Sequence, residues 1–164
     1  MELTGPPERV EPGAPGLVPT GDGSPTVFSE DYGEHYHNLS GAYLEAKGRY
    51  VEECRIVPRA QQTGEVRILD IGLGLGFNLA FAWEAIAREA PGARLTIVSL
   101  EKAPISATLW PLLMRNFPDR KIVDGVAELL ETGTFAQGSV SLKLFVGRAE
   151  DTIEWLEGGF DAVF

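Results

Sequence analysis

Val66-Arg67-Ile68-Leu69-Asp70-Ile71-Gly72-Leu73-Gly74-Leu75-Gly76-Phe77-Asn78 is the stretch that decides the fold. Its first six residues are an apolar run closed by an acid and a glycine, the pattern of a buried parallel strand feeding a tight turn. Leu79 to Ala90 then carries apolar residues at helical spacing. The unit reads as strand, glycine loop, helix. Glycine at every second position lets the backbone take positive φ and brings its N–H groups close to a ligand, and the first turn of the next helix offers further donors. Such a loop suits a nucleotide-like ligand. The dinucleotide fingerprint needs a glycine or alanine where this chain has Phe77, and the P-loop needs Gly-Lys-Ser/Thr, which is absent. A glycine-rich turn with no ligand stays open as the alternative.

At 164 residues the chain fits one domain, and its 44% hydrophobic and 23% charged residues are ordinary for a globular protein. The net charge of −10 repels phosphates unless basic residues are segregated, which weighs against a free-standing nucleic-acid binder. A single cysteine, Cys54, forms no internal disulfide. With no charged-then-apolar leader and no membrane-length apolar run, the expected compartment is the cytoplasm and no membrane partner is expected. Nothing in the pattern specifies an oligomeric state.

Residues 1–25 are rich in Gly, Pro and acids with almost no large apolar side chains, so a disordered tail is expected there, and the folded part is expected over 26–164. Thr26-Val27-Phe28 reads as a short strand and Ser29 to His37 as a polar, aromatic turn. A helix is expected from Ser40 to before Pro58, with Gln61-Gln62-Thr63-Gly64 as linker. Arg94 to Leu100 is a second β-branched strand ending at Glu101, where a parallel strand delivers a carboxylate to ribose hydroxyls. The alternative for Glu101 is a solvated acid paired with Lys102. Pro104 to Phe117 is expected to be a helix burying Ile105, Leu109, Leu112 and Leu113, with Trp110 near the cleft or the neighbouring helix. Lys121 to Leu130 follows as a helix, 132–138 as a loop and Val140 to Val146 as a third strand. Ala149 to Leu156 is a helix, and Phe160 to Phe164 starts a fourth strand. His35-x-His37 beside Asp31 and Glu34 suggests metal ligands, but no third His or Cys completes a site, so no metal is expected and a hydrogen-bonded aromatic turn is preferred.

Asp70-x-Gly72-x-Gly74-x-Gly76 resembles the first motif of the Rossmann-like class I methyltransferases that use S-adenosyl-L-methionine (SAM). Two further blocks, Phe28-Ser29-Glu30-Asp31-Tyr32-Gly33-x-x-Tyr36-His37-x-x-x-Gly41-Ala42-x-x-Glu45-Ala46 and Ser99-Leu100-Glu101-Lys102-Ala103-Pro104, resemble one family among them. This is the MnmC-like tRNA wobble-uridine methyltransferases. The resemblance implies SAM as cofactor, tRNA as substrate, and methyl transfer to the exocyclic aminomethyl nitrogen of the modified uridine. It implies that Gly72, Gly74 and Gly76 cradle the methionine part and that Asp70 orients its amino end or a water. Glu101 would take the ribose, Tyr36-His37 would lie over the cofactor, and Tyr36 with Asn78 would stand near the reacting end.

Two departures follow from the same resemblance. Gly147-Arg148 stands where the family commonly has Gly-Asp facing adenine, with Glu150 or Asp151 as possible substitutes. The fourth-strand motif would continue past Phe164 into Leu-Asp-x-Phe-x-Pro, whose Asp is the expected base, so the catalytic acid is expected beyond Phe164. The expected sheet is therefore incomplete, with its first four strands preceded by a short strand and helix extension. Such a chain is expected not to methylate tRNA at a useful rate by itself, since Arg115, Arg120 and Lys121 make too small a patch to anchor an anticodon arm. Rival readings are a non-catalytic SAM-binding or interaction module, a catalytically incomplete fragment, and an NAD-linked oxidoreductase, which the glycine spacing argues against.

Overall fold

The computed structural model describes residues 16–30 and 32–164. A small antiparallel sheet comes first: β1 (Leu17–Pro19) pairs with β2 (Pro25–Ser29), and β2 with β3 (Glu34–His35). The disordered tail expected over residues 1–25 is thus corrected for 16–25, while 1–15 and Asp31 lie outside the described residues. Polar groups hold this segment. The β1–β2 turn meets the start of α1 (Ala42–Glu45), where N–H groups have no partner within the helix. Ser24 Oγ accepts from Ala42 N–H at 3.0 Å and Asp22 Oδ2 from Leu44 N–H at 2.9 Å. Asp22 Oδ1 also accepts from the Ser24 N–H at 3.0 Å and the Thr20 hydroxyl at 2.8 Å. Burial raises the Asp22 pKa, but the bonds from Ser24, Leu44 and Thr20 together carry it below its ordinary value.

The single helix expected between Ser40 and Pro58 is three pieces. After α1 come a π-helical segment, Ala46–Glu53, a turn in which Arg55 is left-handed at φ 53°, and α2 (Ile56–Thr63). Pro58 is the third residue of α2, where its missing N–H costs nothing, so it opens a helix that the sequence reading had it stop. Gln61, Gln62 and Thr63, expected as linker, are the last turn of α2.

The main sheet contains β4 (Glu65–Ile71), β5 (Arg94–Glu101), β6 (Thr134–Gln137), β7 (Val140–Val146) and β8 (Ala162–Val163), in the order β6-β7-β5-β4-β8. All neighbours are parallel except β6, which is antiparallel to β7. This is a Rossmann-like α/β sheet, with its first parallel strand, β4, between β5 and β8 and the order reversing there. The four parallel strands stand where the pattern put them. β6 replaces the loop expected at 132–138, with Phe135 facing Leu142 across the pair.

Helix α3 (Phe77–Glu89) is buried on most sides, between the sheet and the π segment, α2 and α5 (Arg120–Thr132). Gly125 sets the approach of α5, because a Cβ there would lie 2.6 Å from the Trp83 ring. The helix expected over 104–117 shrinks to α4 (Trp110–Leu113), since Pro111 has no N–H to extend an earlier turn. Leu112, expected to be buried, is 69% exposed. After β7 come α6 (Ala149–Thr152) and a 3-10 turn, Ile153–Trp155. No described helix is long and apolar enough to cross a membrane.

The cap between the two lobes has a measurable worth. Asp22→Ala strips acceptors from the start of α1 and is expected to lower stability by about 1–2 kcal/mol in urea unfolding. An unchanged midpoint would show that the turn contributes nothing to the helix.

Candidate functional site

The parallel strands end on one side of the sheet, and a cavity of about 700 Å³ opens there, lined by Ile71, Leu100, Glu101, Gly147 and Phe164 from the strand ends. The crevice beyond the carboxyl ends, at the point where strand order reverses, is where open α/β sheets bind ligands. Tyr36, Gly72, Gly74, Asn78 and Glu101 from the expected set line this cavity together. Asp70 and Gly76 do not.

The loop after β4 takes three left-handed glycines, with φ of 83°, 55° and 72° at Gly72, Gly74 and Gly76. A side chain would be strained at each. Their N–H groups, expected to point at a ligand, are engaged within the protein: Gly72 donates to Leu100 O at 2.8 Å, Gly74 to Glu101 Oε2 at 2.9 Å and Gly76 to Leu73 O at 2.8 Å. What two of the glycines give the cavity is room. A Cβ on Gly72 would meet nothing within 4 Å, and one on Gly74 would come no nearer than 3.5 Å to Tyr36 Cδ2. Gly76, expected in the cradle, faces the core, where a Cβ would lie 3.0 Å from the Trp110 ring. Trp110 is fully buried and its Nε1 donates to Val123 O at 2.7 Å, so it belongs to the neighbouring helix and not to the cleft.

Glu101 closes the far side. Its second oxygen accepts from Ala103 N–H at 2.8 Å, so backbone donors on both sides aim the carboxylate. Lys102, the partner in the alternative reading, lies with its ammonium 5.7 Å from the Tyr32 ring.

Asp70 is sealed beneath the loop at 1% exposure. The β4–β5 register pairs it with Ser99, whose hydroxyl donates to Oδ2 at 2.9 Å. Burial pushes its pKa up to about 6; the Ser99 bond opposes this and the charge of Glu101 adds to it. Asn78, in the first turn of α3, is nine-tenths buried, and its Oδ1 has no hydrogen-bond partner. Tyr50, which the sequence reading missed, lines the same cavity as Asn78. The π segment brings Tyr50 to the cavity with its ring 5.3 Å from Phe164. Burial, first, and then Glu45 and Asp70 raise the Tyr50 pKa, while Arg49 and the bond from Asn78 lower it; the net shift is upward, so the phenol is neutral. No helical period at 3.6 residues places Tyr50 there, because the π turn shifts the face it presents.

His37 packs its ring on Phe77 at 5.2 Å, with Nδ1 3.4 Å from Glu45 Oε2. Burial lowers its pKa against the pull of Glu45. His35 meets Phe28 edge-on at 5.1 Å. Among the described residues no three His, Cys, Asp or Glu side chains converge.

Fold and site together define a methyltransferase-type Rossmann-like chain. No family model matches it. It is 32% identical over 153 residues to the tRNA 5-methylaminomethyl-2-thiouridine biosynthesis bifunctional protein MnmC of Ectopseudomonas mendocina, which covers 84% of this chain and 23% of that protein. To the MnmC protein of Pseudomonas syringae pv. tomato it is 36% identical over 149 residues, 83% of this chain and 22% of that one. The crystal structure of MnmC2 from Aquifex aeolicus superposes with a TM-score of 0.78 at 32% identity, covering 94% of this chain and 50% of that chain. This chain is a homologue of the MnmC proteins, spanning about a quarter of the length of those curated relatives.

The position of Asp70 carries a pH signature. Its folded pKa of about 6 stands above the ordinary 3.8, so between these values the folded chain keeps a proton that the unfolded chain has released. Stability is therefore lost as pH rises through that window, by about 3 kcal/mol in all. Asp70→Asn should be more stable than the parent at pH 7 by up to that amount, with the gap closing towards pH 4. A gap independent of pH in paired urea titrations would contradict the buried, protonating Asp70.

Proposed function

We propose that the cavity binds SAM and that the chain supplies the cofactor half of a methyltransferase acting on the aminomethyl nitrogen of the modified wobble uridine in tRNA, in the cytoplasm. The observation that carries this is the cavity itself, walled by Gly72, Gly74 and Glu101 at the strand ends of an MnmC homologue.

The residues present fit SAM. The open face over Gly72 admits a ligand against the backbone, and Asn78 Oδ1 is a buried acceptor in need of an N–H donor. Glu101 at the wall and Asp70 beneath the loop place two carboxyl groups beside the glycine turn, which favours a cationic group at that end of the cavity, while Lys102 and Arg148 line its other side. The same geometry speaks against NAD. A pyrophosphate is held by glycine-loop N–H groups, and here the three glycine donors are already bonded within the protein.

SAM would supply an electrophilic methyl group, and the residues of this chain bind and orient. Glu101, already aimed by two backbone N–H groups, accepts from ribose hydroxyls. Tyr36 walls the space above Gly74, and Asn78 Oδ1 accepts an N–H donor. Alignment of this kind is the main source of rate when the leaving group is good. Asp70 cannot serve as the base for the amine, being sealed under the loop and bonded to Ser99.

Calorimetric titration separates the readings: S-adenosylhomocysteine (SAH) and SAM should bind, and NAD should not. Saturable NAD binding with none for SAH would replace this reading by the oxidoreductase one. Charge-assisted hydrogen bonds contribute about 1.5–3 kcal/mol, so Glu101→Ala should weaken SAH binding roughly 10- to 150-fold. A loss below about threefold would make Glu101 only a loop latch. Transfer of labelled methyl to tRNA carrying the aminomethyl-uridine tests the activity; SAH binding without transfer would favour a non-catalytic SAM-binding module.

A further inference from the structure

Tyr32 sits at the tip of the β2–β3 hairpin, lines the cavity, and is 71% exposed. An aromatic ring left this open on a polar turn does nothing for the core. Lys102 and Arg148 are the lysine and arginine among the described residues that line the cavity, and Lys102 lies beside this ring. The Lys102 ammonium is 5.7 Å from its centroid, and Arg148 lines the same cavity as Tyr32. His35 shares the cavity wall with Tyr32 and carries Phe28, 44% exposed, edge-on against it. Of the acids that line the cavity, Glu101 is fixed toward the glycine loop, whereas Glu34 of the hairpin and Glu150 beside Arg148 share the outer wall with Tyr32.

We propose that this rim is a docking site for one unpaired RNA nucleotide, whose base stacks on Tyr32 and whose phosphate is held by Lys102 and Arg148. The proposal rests on the reading of the chain as a tRNA-modifying methyltransferase and says how an RNA nucleotide is received by a chain whose net charge is −10. An acidic protein gains little from long-range attraction for a polyanion. It therefore needs a short-range contact, and stacking of a base on an aromatic face with a cation at hand is tolerant of sequence and strong for its size. Arg148 is paired with Glu150 at 3.1 Å on the open surface, where a phosphate can exchange for the carboxylate.

The test is fluorescence anisotropy of a labelled seven-nucleotide oligouridylate titrated with the full chain, with and without saturating SAH, beside calorimetry for SAH. The parent should bind with a Kd of about 0.1 mM or below at low salt. Tyr32→Ala should weaken the oligonucleotide about 5- to 150-fold, and Tyr32→Phe, which keeps the ring, should stay close to the parent. Lys102→Ala should flatten the dependence of log K on log salt by about 0.7. SAH affinity should be unchanged in all three variants. Oligonucleotide binding that ignores Tyr32→Ala overturns the proposal, as does the absence of binding by the parent. A parallel loss of SAH affinity in Tyr32→Ala also overturns it, by making Tyr32 a cofactor contact. Failure of SAH to bind the parent falls on the proposed function instead, and the RNA titration is read without it.

Discussion

The hydrogen bond from Gly74 N–H to the Glu101 carboxylate ties the glycine loop to the end of the second parallel strand, and the cavity depends on it. β4 and β5 are locked in parallel register through seven residue pairs, ending at Ile71 and Leu100, so the loop and Glu101 emerge side by side. Left-handed backbone at Gly72, Gly74 and Gly76 turns the chain back under this carboxylate and into α3. A loop bonded so fully to its own protein is a rigid wall. Its use to a ligand is as shape and as the mount for Glu101, more than as a set of donors.

Burial divides the acids by task. Asp70 and Glu101 end adjacent strands, yet one is sealed and half-way to neutrality at pH 6 while the other is held at the cavity by two backbone donors. The sealed acid costs stability when ionised, and a cationic ligand above it would offset that cost. Asn78 belongs to the same class, a buried carbonyl oxygen with no partner in the folded chain.

The segment before β4 is ordered by polar satisfaction and local geometry, not by apolar mass. Asp22, Ser24 and Thr20 meet the unpaired N–H groups of a short helix, and the π segment after it carries Tyr50 to the cavity. These two devices attach the small sheet, with Tyr32 and Tyr36, to the strand ends of the large one. The cavity wall is thus assembled from both.

The residue pattern by itself determined the parallel core. Val66 to Ile71 and Arg94 to Leu100 are apolar-rich runs bounded by breakers that suit inner strands, and Val140 to Val146 alternates, burying Leu142 and Leu144 on one face. The glycine spacing likewise made positive φ at the loop and an acid at the next strand end readable, and the family resemblance added Tyr36 and Asn78; with Gly72, Gly74 and Glu101 they line one cavity. Tertiary structure decided what each of them faces. Gly76 resembles its neighbours in sequence, yet packs on Trp110, because the helix it caps has begun to turn away from the cavity. Asp70 was placed at the ligand by pattern and under the loop by the register that gave it Ser99. The order of residues 16–25, the role of Pro58, strand β6 and Tyr50 were not legible. Each rests on a partner distant in sequence or on a helix of uncommon pitch, and periodicity counts neither.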